Sequence, residues 1–371
     1  MSAAPDLLYS DVEEELRRSV RSLLGDRADA AAVLQRVESD EPYDAGLWRT
    51  LATEVGVAAL PIPEDRGGAG ASWRETAVVA EELGRAVAPV PFLGSAVLAT
   101  RALLGCDAHD VLSQAAAGDL TVVLAVPLSA APGEGLRSIG KADGSAVTAT
   151  VTSVADALAA DRFLVPATDN GEAALYLVDA DAATVTTAVS MDLTRPVSTV
   201  AFEGAAGVRV ATGSAAESAL HDALNTGAAI LASEQLGVAE RCLEMTIAHL
   251  QTRYQFGRPL GSFQALKHRL ADLWMSITQA RAAARYAASC VSGDRDDVAI
   301  AVAVAQAHCS TVAVRAAEEC VQMHGGIGFT WEHPAHLYLK RAKTSVVALG
   351  TPDHHRWSLA ALADLPPATQ R

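Results

Sequence analysis

Three stretches of the chain carry residue types able to do chemistry. In "RYQFGRPLGSFQALKHRLAD", Arg253, Phe256 and Arg258 fall at a helix end and the turn after it. Gly257 and Gly261 break the chain, and Gln264 opens the next helix. A guanidinium beside a helix start suits a pyrophosphate, because it adds a fixed cation to exposed backbone N–H groups; two solvated loop arginines would give the same pattern. About 65 residues on, "VQMHGGIGFTWEHPAHLYLKRAK" sets Gln322 before Gly325, Gly326 and Gly328 at the end of another helix. Adjacent glycines let a second molecule approach the backbone, and a plain helix C-cap would use them too. The third stretch, "RAKTSVVALGTPDHHR", surrounds Leu349 with Thr351, Asp353, His354 and His355.

Composition narrows what these residues serve. The chain has 371 residues, half of them hydrophobic and 20% charged, which describes a folded protein large enough for two or three domains. A formal charge of −15 argues against a nucleic-acid surface, since phosphate backbones call for clustered Lys and Arg. The five cysteines, Cys106, Cys242, Cys290, Cys309 and Cys320, show no metal-ligand spacing, and an odd number cannot pair completely. They read as reduced core residues of a cytoplasmic protein. No basic-then-apolar leader opens the chain and no uninterrupted apolar run reaches about 18 residues, so no membrane span is expected.

The elements that must position the three stretches fall into zones by hydrophobic period. Residues 1–117 read as a helical domain, with Val20, Leu23 and Leu24 at helical spacing, a loop at "PIPEDRGGAGAS" and a further helix at "RETAVVAEELGRAV". Residues 118–212 switch to short β-branched runs such as "SAVTATVTSV", "DRFLVPA" and "AALYLVDA", the pattern of an antiparallel β domain. Residues 213–371 return to long helices. One carries Phe263, Leu266, Leu270, Leu273, Ile277 and Ala284 as an apolar stripe, and another is apolar round most of its circumference. The fold class is α+β, mostly α, with segregated element types, and the tail "ADLPPATQR" is expected to fray.

Taken together, "RxxFGxPxxxFQ" and "QxxGGxGF", with "PEDRGGAG" and "AEELGR" upstream, resemble the acyl-CoA dehydrogenase family over nearly the whole chain. The resemblance implies an N-terminal helical domain, a middle β domain and a C-terminal four-helix bundle. It also implies FAD as cofactor and an acyl-CoA thioester as substrate, oxidised at Cα–Cβ by loss of an α proton to a carboxylate and of a β hydrogen to the flavin. Arg253, Phe256, Gln264, Gln322, Gly325 and Gly326 match residues that contact the flavin nucleotide of a neighbouring subunit. Thr351 matches a threonine near the flavin.

Against that family, the acid is missing. The usual glutamate before Gly-Thr corresponds to Leu349, and the alternative glutamate of some members maps near Gly227. Glu234 lies about two helical turns beyond Gly227 and is expected to face a packing neighbour. The family's "TEPxAGSD" and "WIT" stretches, which hold the isoalloxazine ring, have "VVLAVPLSAAPGEGLRS" and "VTSVADALAADRFLV" in their place. The chain therefore resembles the degenerate sister in actinobacterial α2β2 pairs of sterol and lipid catabolism. In such pairs a glutamate-containing paralogue supplies the base, and no residue of the sister is catalytic.

Two other readings remain. A homomeric flavin oxidase or monooxygenase would need no α-proton base, and Asp353, His354 or His355 would then move protons, although histidines beside such a turn otherwise read as solvated. A flavin-free binding or scaffolding protein would keep "RYQFG" and "QMHGG" for packing alone.

Overall fold

The computed structural model describes residues 6–133, 139–293 and 297–365. The last residues of the stretch compared with "TEPxAGSD", 134–138, and the end of the tail, 366–371, lie outside the described residues. The first zone is helical: α1 (Asp11–Arg27), α2 (Ala30–Val37), α3 (Ala45–Arg49), α4 (Trp73–Ala86), α5 (Thr100–Leu104) and α6 (His109–Ala117). Sequence sets the starts of α1 and α4. Ser10 with Glu13, and Ser72 with Glu75, form reciprocal capping boxes that satisfy backbone donors otherwise left open at a helix start. Val20 and Leu24 are buried on the inner face of α1, and a left-handed Gly67 turns the chain in "EDRGG".

The second zone holds β1 (Val122–Leu124), β2 (Gly140–Asp143), β3 (Ala146–Ala155), β4 (Arg162–Asp169), β5 (Glu172–Asp179), β6 (Ala183–Thr187) and β7 (Val197–Thr212). β2, β3, β7 and β5 pair antiparallel in sequence around the sheet, and β5 returns to β4 to close it; the short pairings of β4 with β1 and β2 are parallel. Closure leaves an interior filled by Val147, Val151, Phe163, Val165, Tyr176 and Phe202, with Phe163 and Phe202 edge to face.

Five helices complete the chain: α7 (Gly213–Thr252), α8 (Gln264–Ser292), α9 (Val298–His324), α10 (Ala335–Ser345) and α11 (Pro352–Leu362). Between α7 and α8 stands a hairpin of β8 (Tyr254–Gln255) and β9 (Arg258–Pro259). The segment Val298–Phe329 is long and apolar enough by composition to cross a membrane, but α9 lies in the bundle against α7, α8, α10 and α11. The α8 stripe is buried from Leu273 onward, while Phe263, Leu266 and Leu270 are only half-buried because the start of α8 projects past its neighbours.

The first and third zones meet where α4 crosses α7, and glycines set the approach. A Cβ on Gly84 would lie 2.1 Å from the Glu234 carbonyl oxygen, and one on Gly237 would lie 1.9 Å from that of Glu81. Each backbone fills the place of the other's missing side chain. Around this crossing lie Glu81, Glu82 and Glu240 with Arg17, Arg85, Arg281 and Arg285, and Tyr9 donates to Glu81. Burial first, then the Glu240 charge, pushes the Glu81 carboxyl up to about 7.

The crossing and the helix beside it can be tested by substitution. Gly237→Ala should destabilise the chain by at least about 2 kcal/mol, since a methyl there can only move backbone. Gly25→Ala in α1, where a Cβ meets nothing within 4 Å, should be neutral or stabilising in the same thermal unfolding assay. The Glu81 carboxyl is raised relative to the unfolded chain, so the folded state binds the proton more tightly and loses stability as pH rises from the usual carboxylate range through 7. Between about pH 5 and pH 8 that loss is on the order of 3 kcal/mol, and Glu81→Gln should flatten the profile.

Candidate active site and nucleotide face

Where the family acid would stand, the chain is closed on itself. Leu349 is fully buried with φ of 52°, a left-handed conformation seldom taken by a branched residue. Its side chain packs toward α7 at Gly227. A Cβ on Gly227 would lie 2.4 Å from Leu98 and 3.1 Å from Leu349, so position 227 has no room for a carboxylate and position 349 is filled by an apolar side chain. The Leu349 N–H donates to the Leu128 carbonyl at 2.7 Å, and the Leu128 N–H donates to Ser153 at 2.9 Å. The stretches standing in for "TEPxAGSD" and "WIT" are thus tied to each other and to the acid position directly.

The groups around Leu349 are also engaged. His355 is buried, contrary to a solvated reading, because α11 turns it inward. Its Nε2–H donates to the Leu349 carbonyl at 2.9 Å, and burial holds the ring down to about 4, so it stays neutral. Thr351 is exposed and caps α11 by accepting from the His354 N–H. Asp353 is exposed and pairs with Arg356. A cavity of about 650 Å³ runs between β4, β5 and the first turns of α7, ending at Leu224 without reaching Leu349.

Glu234, expected to face packing or a neighbouring helix, faces a buried ion cluster. Arg341 of α10 donates to Glu234 at 3.1 Å, to Asp192 at 2.9 Å and to the Thr194 carbonyl at 2.8 Å, and Arg195 pairs with the other Glu234 oxygen. Burial alone would raise the Asp192 carboxyl, but Arg341 and Thr194 hold it below the usual range. Both Glu234 oxygens are occupied by guanidiniums, so neither is open to a substrate.

The remaining residues singled out by sequence gather at the far end of α7, α8 and α9. Arg253 follows α7 directly and its side chain is exposed. Phe256 and Gly257, both with positive φ, form the two-residue tip of the β8–β9 hairpin. Such a turn favours Asn-Gly. A phenylalanine there, 89% exposed, is strained backbone presenting an aromatic ring to solvent. Arg258 lies 3.9 Å above the Phe263 ring and Gln264 begins α8, exposed. Gln322, Gly325 and Gly326 are exposed at the end of α9; Gly325 needs its φ of 64°, and neither glycine has anything within 4 Å of a Cβ.

With that geometry in view, comparison with known proteins is direct. Residues 10–106 match the family described as acyl-CoA dehydrogenase, N-terminal domain, and residues 218–362 match acyl-CoA dehydrogenase, C-terminal domain. The chain belongs to the acyl-CoA dehydrogenase family, whose members are FAD-dependent oxidoreductases. The acyl-CoA dehydrogenase IpdE2 of Mycobacterium tuberculosis is 39% identical, over 91% of this chain and 92% of that protein. Among solved structures, a chain of the ChsE4-ChsE5 complex from Mycobacterium tuberculosis is 29% identical with a TM-score of 0.86, covering 98% of this chain and 100% of that one. A variant of the Tcur3481-Tcur3483 steroid acyl-CoA dehydrogenase is 28% identical with a TM-score of 0.84, covering 95% and 98%.

Sequence reasoning missed three features: the Leu128 clamp, the Asp192–Thr194–Arg195–Arg341 cluster, and His249, His324 and His333 lying ring against ring. The second left a trace, the polar "DLTR" between two apolar strands. Leu349→Glu tests the closed site. Purified without any partner, the variant should show no acyl-CoA oxidation and lose about 2–4 kcal/mol of stability, because its carboxyl replaces a fully buried apolar side chain packed toward Gly227.

Proposed function

We propose that this chain is the non-catalytic subunit of a heteromeric FAD-dependent acyl-CoA dehydrogenase, completing the FAD site of a glutamate-containing paralogue in an α2β2 assembly. The observation that carries the reading is Leu349, buried, with its amide spent on Leu128 and its side chain against Gly227. With a leucine at the acid position and its amide spent, Leu349 can neither take an α proton nor polarise a thioester carbonyl.

The residues present fit the nucleotide end of FAD and not the isoalloxazine end. Arg253 offers a fixed cation to a pyrophosphate, Gly325 and Gly326 offer open backbone, and Gln264 and Gln322 offer amides. Phe256 offers a ring face. Thr351 is spent as a helix cap, and the place for an isoalloxazine is taken by the Leu128–Leu349 bond. When bound across the interface, FAD supplies the hydride acceptor, and the partner supplies the base for α,β-desaturation of the acyl-CoA. Exposed Phe256, Trp274 and Phe329 on the same bundle support a covering subunit, because apolar groups of that size cost free energy in water. Likeness to the ChsE4-ChsE5 complex and to the Tcur3481-Tcur3483 steroid enzyme supports a paired assembly and a sterol-derived thioester. Five buried, unlinked thiols are compatible with the cytoplasmic location we propose.

An oxidase or monooxygenase using His355 is disfavoured, since that ring is neutral and bonded to Leu349. Co-expression with the glutamate-containing paralogue should give a yellow tetramer that oxidises acyl-CoA. In it Arg253→Ala should weaken FAD retention about tenfold or more. A fully flavinated, active homotetramer of this chain alone would refute the reading, and a mixed complex without flavin absorbance would favour a scaffold instead.

A further inference from the structure

The two nucleotide-facing turns are joined by aromatic rings. His249, in the last turn of α7 four residues before Arg253, has its ring centroid 4.4 Å from that of His324, the residue before Gly325. On the other side of His324, His333 stands at 4.3 Å. His324 is buried, and its Nδ1 lies 2.6 Å from the Cys320 carbonyl. A carbonyl only accepts, so Nδ1 carries hydrogen and Nε2 is the nitrogen that titrates. His333 is fixed the other way, its Nδ1 accepting the Ala335 N–H at 3.2 Å where α10 begins. Protonating that nitrogen would break the bond.

We propose that His324 is a positioning residue: clamped between His249 and His333, it holds the Arg253–Phe256 turn and the Gly325–Gly326 turn at one spacing, and acidification opens that clamp. The use of this spacing for FAD rests on the function proposed above; the clamp itself does not. Charged and titratable groups facing it are Cys242 and Arg253 from α7 and its end, Cys320 from α9, and His336 beyond His333. Lys340 and Glu38 act through Trp331.

The electrostatics agree with the geometry. Burial, with the neighbouring His324 charge next, lowers His249 and His333; burial would lower His324 too, but Cys320 raises it. These shifts favour the middle ring over its two neighbours as the place for a proton. The closed clamp binds fewer protons at His249 and His333 than the open one, so their contribution is lost as pH falls through the usual imidazole range near about 6.5. His324 has the opposite sign and favours closure until pH rises past its raised value. Three like charges on touching rings push the turns apart.

The test uses the full chain alone and then the mixed tetramer. Amide protection at Gly325 and Gly326, corrected for intrinsic exchange, should fall about tenfold or more between about pH 7.5 and pH 5 in the wild type. His324→Phe keeps a ring without a proton and should shrink and shift that transition, because His249 and His333 then no longer face a charged ring between them, while a purely packing role predicts an unchanged pH profile. His249→Phe and His333→Phe each remove one acid-side proton and should shift the transition to lower pH. Protection that stays flat in the wild type, or an identical transition in His324→Phe, overturns the clamp. FAD retention by the mixed tetramer should follow the same transition. A clamp that opens in the chain alone beside FAD retention indifferent to pH overturns the link to the nucleotide, and a tetramer without FAD at any pH defeats the assembly reading instead.

Discussion

The arrangement depends on α4 and α7 touching backbone to backbone. With Gly84 against the Glu234 carbonyl and Gly237 against that of Glu81, the two helices cannot rotate or slide without collision. That contact fixes which way Glu234 points, and Glu234 is where α7, α10 and the connection between β6 and β7 are bound together through Arg341, Arg195 and Asp192. Burying such charges costs several kcal/mol of hydration per ion, so the cluster is weak as a source of net stability. Its value is in register: only one placement of the connection satisfies all four charges. The β domain is therefore held against the bundle by a constraint that begins at two glycines.

From that register the closed site follows. α7 presents Gly227 two turns before Glu234, α10 leads into Leu349, and the chain after β1 lies over both. Because the Leu128 carbonyl takes the Leu349 amide and the Leu128 amide takes the Ser153 carbonyl, the backbone polar groups a ligand would use are satisfied internally. His355 does the same for the Leu349 carbonyl. The left-handed φ of Leu349 has been kept although its side chain has no chemistry to perform, since the turn is now held by these bonds.

The helical and β zones and both glycine turns were legible in the sequence, because they rest on local periods and on residues that permit positive φ. The absence of an acid was legible at Leu349 and Gly227 for the same reason: a single position decides it. What periodicity could not show was pairing at a distance. Arg341 meets Asp192 across 149 positions, and its guanidinium on an amphipathic helix gives no sign of pointing inward. His355 read as solvated beside an exposed turn and is instead buried, since its Nε2–H turns inward to the Leu349 carbonyl. His249 and His324 occupy different helices, each an unremarkable position in its own heptad.

The two halves of the familiar flavin site could part company because α7 keeps them apart. From Gly227 to Thr252 the helix rises roughly 38 Å, at about 1.5 Å per residue, farther than an extended dinucleotide reaches. Residues beside Gly227 and residues beside Arg253 thus belong to separate surfaces of the bundle. Changes that sealed the Leu349 end imposed nothing on the hairpin carrying Phe256 or on the turn at Gly325. Those turns keep costly features, a phenylalanine with φ of 53° and a fully open Gly-Gly backbone, that folding of this chain alone does not require. A strained hairpin at one end of α7 and a closed turn against Gly227 are thus independent features, and the first agrees with the surface proposed above for a partner's cofactor.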